Sequence, residues 1–119
     1  MSDENNISYI EFPTRDIAAT RVFFTSVFGW QFEDYGPEYT SFSGQGVDGG
    51  FYLSATVSSS ESGAPLVVLY AVALEDVQGR IEDAGGRILK PIFSFPGGRR
   101  FHFVEPGGNE LAVWSDVDA

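Results

Sequence analysis

His102 is the only histidine in the chain, and it sits in the run Arg99-Arg100-Phe101-His102-Phe103-Val104, whose alternation suits a strand. Strand period puts Arg100, His102 and Val104 on one face and the two phenylalanines on the other. With the phenylalanines turned to the core against the helix, Arg100 and His102 face the cup between the sheets, where an imidazole serves as general base or proton shuttle near neutral pH. The alternative is a strand histidine hydrogen-bonded to a nearby carboxylate, with no turnover. Glu11 and Glu110 are expected on the same side of their strands. One ring nitrogen and two carboxylates match a facial metal triad in composition; against this stands a structural network in which Arg100 or His102 neutralises the glutamates. Arg99-Arg100 following Gly97-Gly98 could receive a carboxylate or phosphate on guanidinium forks, although a plain hairpin also explains the glycines. Tyr9, Tyr52 and Trp114 join the same face by alternation and offer stacking surface with polar tips. Such walls suit a flat or cationic organic ligand, and core or dimer packing is their other common use.

The elements that must position these residues come in two rounds. In the first, a short strand over 7–12 precedes Pro13, and Asp16 caps a helix from Ile17 to about Phe28 that Gly29 closes. Three strands follow over 30–35, 39–43 and 50–55, separated by Gly36-Pro37 and by the glycine-rich stretch 44–49. Residues 57–65, containing Ser58-Ser59-Ser60-Glu61-Ser62-Gly63, read as a linker between modules, with a flexible lid as the alternative. The second round repeats the order: a strand over 66–72, a helix over 74–84 ended by Gly85-Gly86, and strands over 87–92, 99–104 and 109–115. The whole predicts one α+β domain over 1–119, two tandem βαβββ modules (about 7–55 and 66–116) forming a curved sheet cup, each sheet covered by its own helix.

Bulk composition narrows the function classes. The net charge of −10 argues against nucleic acid and anionic membrane as partners. Cysteine is absent, which excludes thiol catalysis, disulfides and thiolate metal sites. No apolar run reaches membrane-spanning length, and the polar, acidic start is not signal-like, so a soluble cytoplasmic protein is the expectation.

Several stretches together resemble the vicinal oxygen chelate superfamily, which includes glyoxalase I, bleomycin-resistance proteins and extradiol dioxygenases. They are Tyr9-Ile10-Glu11-Phe12-Pro13-Thr14-Arg15-Asp16, Phe23-Phe24-Thr25-Ser26-Val27-Phe28-Gly29-Trp30, Ile81-Glu82-Asp83-Ala84-Gly85-Gly86 and Phe103-Val104-Glu105-Pro106-Gly107-Gly108-Asn109-Glu110-Leu111. The resemblance implies a glyoxalase-like cup that usually holds a divalent metal on His and Glu ligands from the first and last strands of each module. Counting back from Asp16 along the family pattern puts the first-strand ligand positions on Tyr9 and Val67 and the last-strand ones on Ser54 and Ala112, at the same offset as the glycine pairs Gly49-Gly50 and Gly107-Gly108. None of these four is a divalent-metal ligand set, so no metal is expected there. Ligand binding falls to Tyr9, Glu11, Tyr52, Arg100, Glu110 and Trp114, with His102 the catalytic candidate. The leading expectation is a metal-free, aromatic-lined cup that binds a small molecule in a homodimer. The alternatives are a metal-dependent lyase, isomerase or dioxygenase using Glu11, His102 and Glu110, and a metal-free enzyme with His102 as base.

Overall fold

Asp16 starts the first helix, α1 (Ile17–Phe28), by accepting the Ala19 N–H on its carboxylate at 3.0 Å. Gly29, at φ 74°, ends the helix in the left-handed conformation glycine tolerates best. The computed structural model describes residues 4–117, and within them α1 follows β1 (Tyr9–Thr14) and precedes β2 (Gln31–Asp34), β3 (Tyr39–Ser43) and β4 (Asp48–Leu53). The second module repeats this as β5 (Val67–Tyr70), α2 (Leu74–Asp83), β6 (Arg87–Phe95), β7 (Gly98–Val104) and β8 (Glu110–Ser115). Helix α2 has no side-chain cap at its start; Glu75 and Asp76 in its first turn complement the helix dipole instead.

Each module folds into its own four-stranded sheet, in the orders β1-β4-β3-β2 and β5-β8-β7-β6. The first strand runs parallel to the last, and the remaining pairs are antiparallel. Pro13 is accommodated because β1 is an edge strand, and the strand runs on to Thr14. Pro91 likewise lies in edge strand β6, where the pairing with β7 shifts register between Lys90 and Phe93.

The helix-facing sides of both sheets share one core. Phe24, fully buried, stacks on Trp30 at 4.5 Å and on Phe51 at 5.5 Å, and Phe23 reaches Phe103 of the other module at 5.8 Å. The junction is also polar. Glu105, 1% exposed, accepts from Thr20 (2.8 Å), the Gly107 N–H (2.6 Å) and the Asn109 amide (2.8 Å). Asn109 passes a second amide hydrogen to the Pro13 carbonyl at 2.6 Å, and the Arg15 N–H donates to the Gly107 carbonyl at 3.1 Å. Burial pushes the Glu105 carboxyl above its ordinary range, opposed in part by these donors.

The glycine pair of the first module departs from the sequence expectation. Gly49-Gly50 is not a turn; both glycines lie inside β4, paired with β1 and β3. A Cβ on Gly50 would collide with the Tyr39 ring, and one on Gly49 with the Ile10 carbonyl and the Phe42 ring. These glycines are absent side chains that make room for rings. Gly107-Gly108 precedes β8 in a true turn. Strand pairing matches Phe51, opposite Thr40, with Val113, opposite Phe101. Gly50 thereby corresponds to Ala112, and Asp48 to Glu110.

Candidate functional site

The helix-free faces of the two sheets carry the residues that the sequence pattern points to. Pairing places Tyr9, Glu11, Tyr39, Ser41, Asp48, Gly50 and Tyr52 on the face of the first sheet. On the second sheet the same face holds Val68, Tyr70, Arg100, His102, Glu110, Ala112 and Trp114. Of the four positions read from the family pattern, Tyr9 and Ala112 lie on these faces and Ser54 follows the end of β4. Val67 does not belong with them. It pairs with the fully buried Leu111 on the opposite face, as a one-residue register error requires.

His102 and Glu110 come together. His102 Nδ1 lies 2.9 Å from Glu110 Oε2, and both side chains are almost completely buried. Ser60 anchors the carboxylate from the linker, donating its N–H at 2.7 Å and its hydroxyl at 2.8 Å to Oε1. Desolvation pushes the Glu110 carboxyl upward, but the bonds from His102 and Ser60 outweigh it and hold the group below its ordinary range. An ionised Glu110 can only accept, so Nδ1 carries a proton, and in the neutral imidazole the lone pair sits on Nε2. That Nε2 is buried and has no partner among the described residues. A carboxylate-oriented imidazole with a free Nε2 has the geometry of a general base.

Around His102 runs an arc of rings. Tyr70 meets Trp114 at 5.1 Å, Trp114 meets Phe95 at 6.4 Å, and Phe93 lies 5.9 Å from His102. The Arg100 guanidinium closes the arc, 5.4 Å from the Phe93 ring and 5.7 Å from that of Phe95. Arg99 points the other way and pairs with Glu75 of α2 at 2.6 Å, so the two adjacent arginines do not act as one fork.

On the first sheet Tyr39 lies across Gly50, donating to Glu11 at 3.0 Å and sharing a 2.5 Å hydrogen bond with Tyr9. Burial, then the bonds to Tyr9 and Glu11, raise the Tyr39 phenol above its ordinary range and keep it a neutral donor. Tyr39 and Ser60 are not among the residues that the sequence pattern singles out. Tyr39, opposite Tyr52, holds the place in the first sheet that Arg100, opposite Trp114, holds in the second, and that equivalence is the signal that finds it; Ser60 is visible only once the linker is placed. That linker is strapped down rather than loose: Ser58 accepts the Glu110 N–H at 2.8 Å and donates its own to Asn109 Oδ1 at 2.8 Å.

Glu11, His102 and Glu110 do not come together as a trio. Glu11 bonds Tyr39 on one sheet, while Glu110 is fully engaged by His102 and Ser60 on the other. Among the described residues of one chain, no three His, Cys, Asp or Glu side chains converge. Glu11, His102 and Glu110 thus do not form one ligand set within a single chain.

A cleft of about 380 Å³ lies between the modules, lined by Ile10, Phe12, Trp30, Phe42, Val67 and Leu69 among others. None of Tyr9, Glu11, Tyr52, Arg100, Glu110 and Trp114 lines it. Its walls are mainly apolar core residues, with Gln45 and Tyr70 supplying polar side-chain groups, and through Val68 and Tyr70 it adjoins the face of the second sheet.

The family model described as "Glyoxalase/Bleomycin resistance protein/Dioxygenase superfamily" matches residues 6–113. Among curated proteins, "Anthracycline biosynthesis protein DnrV" of Streptomyces peucetius is 27% identical over 90% of this chain and 46% of its own length. "Putative glyoxylase CFP32" of Mycobacterium bovis is 24% identical over 90% of the chain and 44% of its own length. The chain therefore spans about half the length of the curated relatives it matches. A crystal structure of a glyoxalase/bleomycin resistance protein/dioxygenase family enzyme from Burkholderia phytofirmans superposes with a TM-score of 0.78 at 16% identity, covering 94% of this chain and 99% of the other. A glyoxalase-related enzyme from Fulvimarina pelagi gives 0.74 at 20% identity, covering 93% and 88%. These likenesses place the fold. No helix among the described residues is long and apolar enough to cross a membrane.

Proposed function

The chain belongs to the Glyoxalase/Bleomycin resistance protein/Dioxygenase superfamily, and from that premise we propose that it binds a small planar organic molecule between its helix-free sheet faces without the family's usual metal. The observation that carries this reading is the arc from Tyr70 through Trp114, Phe95 and Arg100 to Phe93 and His102. It is a stacking surface with a few convergent polar groups, the usual makeup of a small-molecule site. The name of the anthracycline-biosynthesis relative supports a flat polycyclic ligand.

The arc needs a cover. Tyr9, Tyr52, Val68, Tyr70 and Phe93 are all exposed on the two faces, more apolar surface than isolated residues would leave. A second copy of the chain, laying one module's face over the other's, is the cover we propose, which makes the working form a homodimer. Sedimentation should show a dimer that Tyr70→Glu weakens; a monomer at micromolar concentration would count against it.

Binding is tested by titrating planar aromatic compounds and following Trp114 fluorescence, with Trp114→Phe as the control. Loading with several divalent metals, followed by elemental analysis, is expected to leave less than about a tenth of an equivalent per chain. One equivalent, lost in both His102→Ala and Glu11→Gln, would replace this reading with a metal-dependent enzyme.

The His102–Glu110 dyad favours a second reading, proton transfer by His102 Nε2 on the bound molecule. For any substrate that turns over, His102→Ala should lower kcat by about a hundredfold or more. An unchanged kcat would leave the dyad a structural pair.

A further inference from the structure

Of the chain's seven lysines and arginines, Arg87, Lys90 and Arg100 lie on the helix-free face of the second sheet: Arg87 pairs with Val104, Lys90 with His102 and Phe93 with Arg100 across the β6–β7 ladder. Of the other four, three find carboxylates, and Arg15 donates to the Ala55 carbonyl at 3.1 Å instead. Arg21 pairs with Asp34, Arg80 with Asp76 and Arg99 with Glu75. Arg87, Lys90 and Arg100 form no ion pair with described residues, although the chain carries 17 acidic groups.

Arg100 is the informative member. Arg87 and Lys90 are exposed and cost nothing in water, but the Arg100 guanidinium is packed between Phe93 and Phe95. Its Nε is buried without an acceptor among the described residues. Burying an unpaired donor of a charged group is unfavourable, and the guanidinium lies over two rings, 5.4 Å from Phe93 and 5.7 Å from Phe95. A guanidinium whose Nε–H lacks an acceptor matches the planar geometry of a carboxylate or another oxyanion. Trp114, on the residue paired with Arg100 across β7–β8, supplies a flat surface beside it.

We propose that this face is an anion subsite: Arg100 receives the oxyanion of a planar ligand whose ring system stacks towards Trp114, while Arg87 and Lys90 add attraction at longer range. The proposal rests on the reading that the ligand binds on the sheet faces, and it deepens that reading by giving the ligand a negative charge. It departs from the expectation of a cationic ligand that the acidic composition of the whole chain raises. Charge at the site, not net charge, governs what the site holds.

The probes are 2-naphthoate, its neutral analogue 2-naphthamide, and inorganic phosphate, titrated into the intact protein at low ionic strength. Calorimetry reads affinity, and the Arg100 Nε–H resonance reads the place. 2-Naphthoate is expected to bind at least about tenfold tighter than the amide and to shift the Arg100 resonance saturably. Arg100→Ala should abolish that preference while Arg100→Lys keeps part of it, because lysine retains the charge but not the fork. Adding salt should weaken naphthoate and leave the amide unchanged. Equal affinity for the two naphthalenes, with Trp114 responding to both, would overturn the anion subsite and leave the cup reading standing. If no probe perturbs Trp114 or Arg100, both fail. If Arg100→Ala lowers the dimer fraction and leaves the naphthoate preference intact, the cation serves an intersubunit ion pair and the proposal is overturned.

Discussion

Gly107→Ala should lower the unfolding free energy by about 3 kcal/mol or more, since one methyl group both overpacks a closed site and breaks buried hydrogen bonds. The new Cβ would collide with the hydroxyl oxygens of Thr14 and Thr20 and press on Glu105 Oε1. Those three oxygens are already bonded to one another, Thr14 to Thr20 at 2.7 Å and Thr20 to Glu105 at 2.8 Å. The site cannot relax outward, because Thr14, Thr20 and Glu105 are all essentially buried. Urea denaturation measures the loss, and a change below about 1 kcal/mol would show that the network yields easily. Gly79 provides the control of opposite sign. It lies in α2, and a Cβ added there would project into open space, so Gly79→Ala should stabilise by up to about 1 kcal/mol through helix propensity alone.

The second large effect concerns pH. The folded-state pKa of Glu110 is depressed, so its contribution is fully present above the unfolded carboxyl value and disappears as pH falls through the lower folded value. Glu110→Gln removes the charge that His102 and Ser60 satisfy, and should cost about 2 kcal/mol at pH 7. The gap between wild type and variant should then close as the pH drops from about 5 towards 3. Glu105 works in the opposite direction. Its folded-state pKa is raised, so its penalty grows as pH climbs from the unfolded value through the folded one. Parallel stability curves for wild type and Glu110→Gln across the acid range would contradict the assigned role of Glu110.

Much of the fold was legible because hydrophobic period and turn chemistry agreed in both rounds. Ile17–Phe28 and Tyr39–Ser43 fall on the expected bounds, and the other elements differ by a few residues at their ends. The faces of His102, Arg100, Glu110 and Trp114 were legible for the same reason, since a two-residue period leaves only one choice once Phe101 and Phe103 are given to the core. What failed was the equivalence between modules. A glycine pair that leaves room for the rings of Tyr39 and Phe42 has the same letters as a pair that turns the chain, and only the neighbours tell them apart. That misalignment carried Val67 to the site on paper, although its strand pairing points it away. The engagement of Ser60 by Glu110 was illegible for a different reason: loop residues carry no period, so the partner of a buried carboxylate 50 positions away leaves no local mark.

The polar junction has a consequence for how the duplicated halves behave. Glu105 and Asn109 of the second half take hydrogen bonds to Thr20 and Pro13 of the first, and Phe23 and Phe103 share the apolar core beside them. Neither half contains its own complete interior. Severing the linker would strand a buried carboxylate on one fragment and bare phenylalanines on both, so the two repeats should melt in a single cooperative step. The halves look alike, yet neither closes its interior without the other.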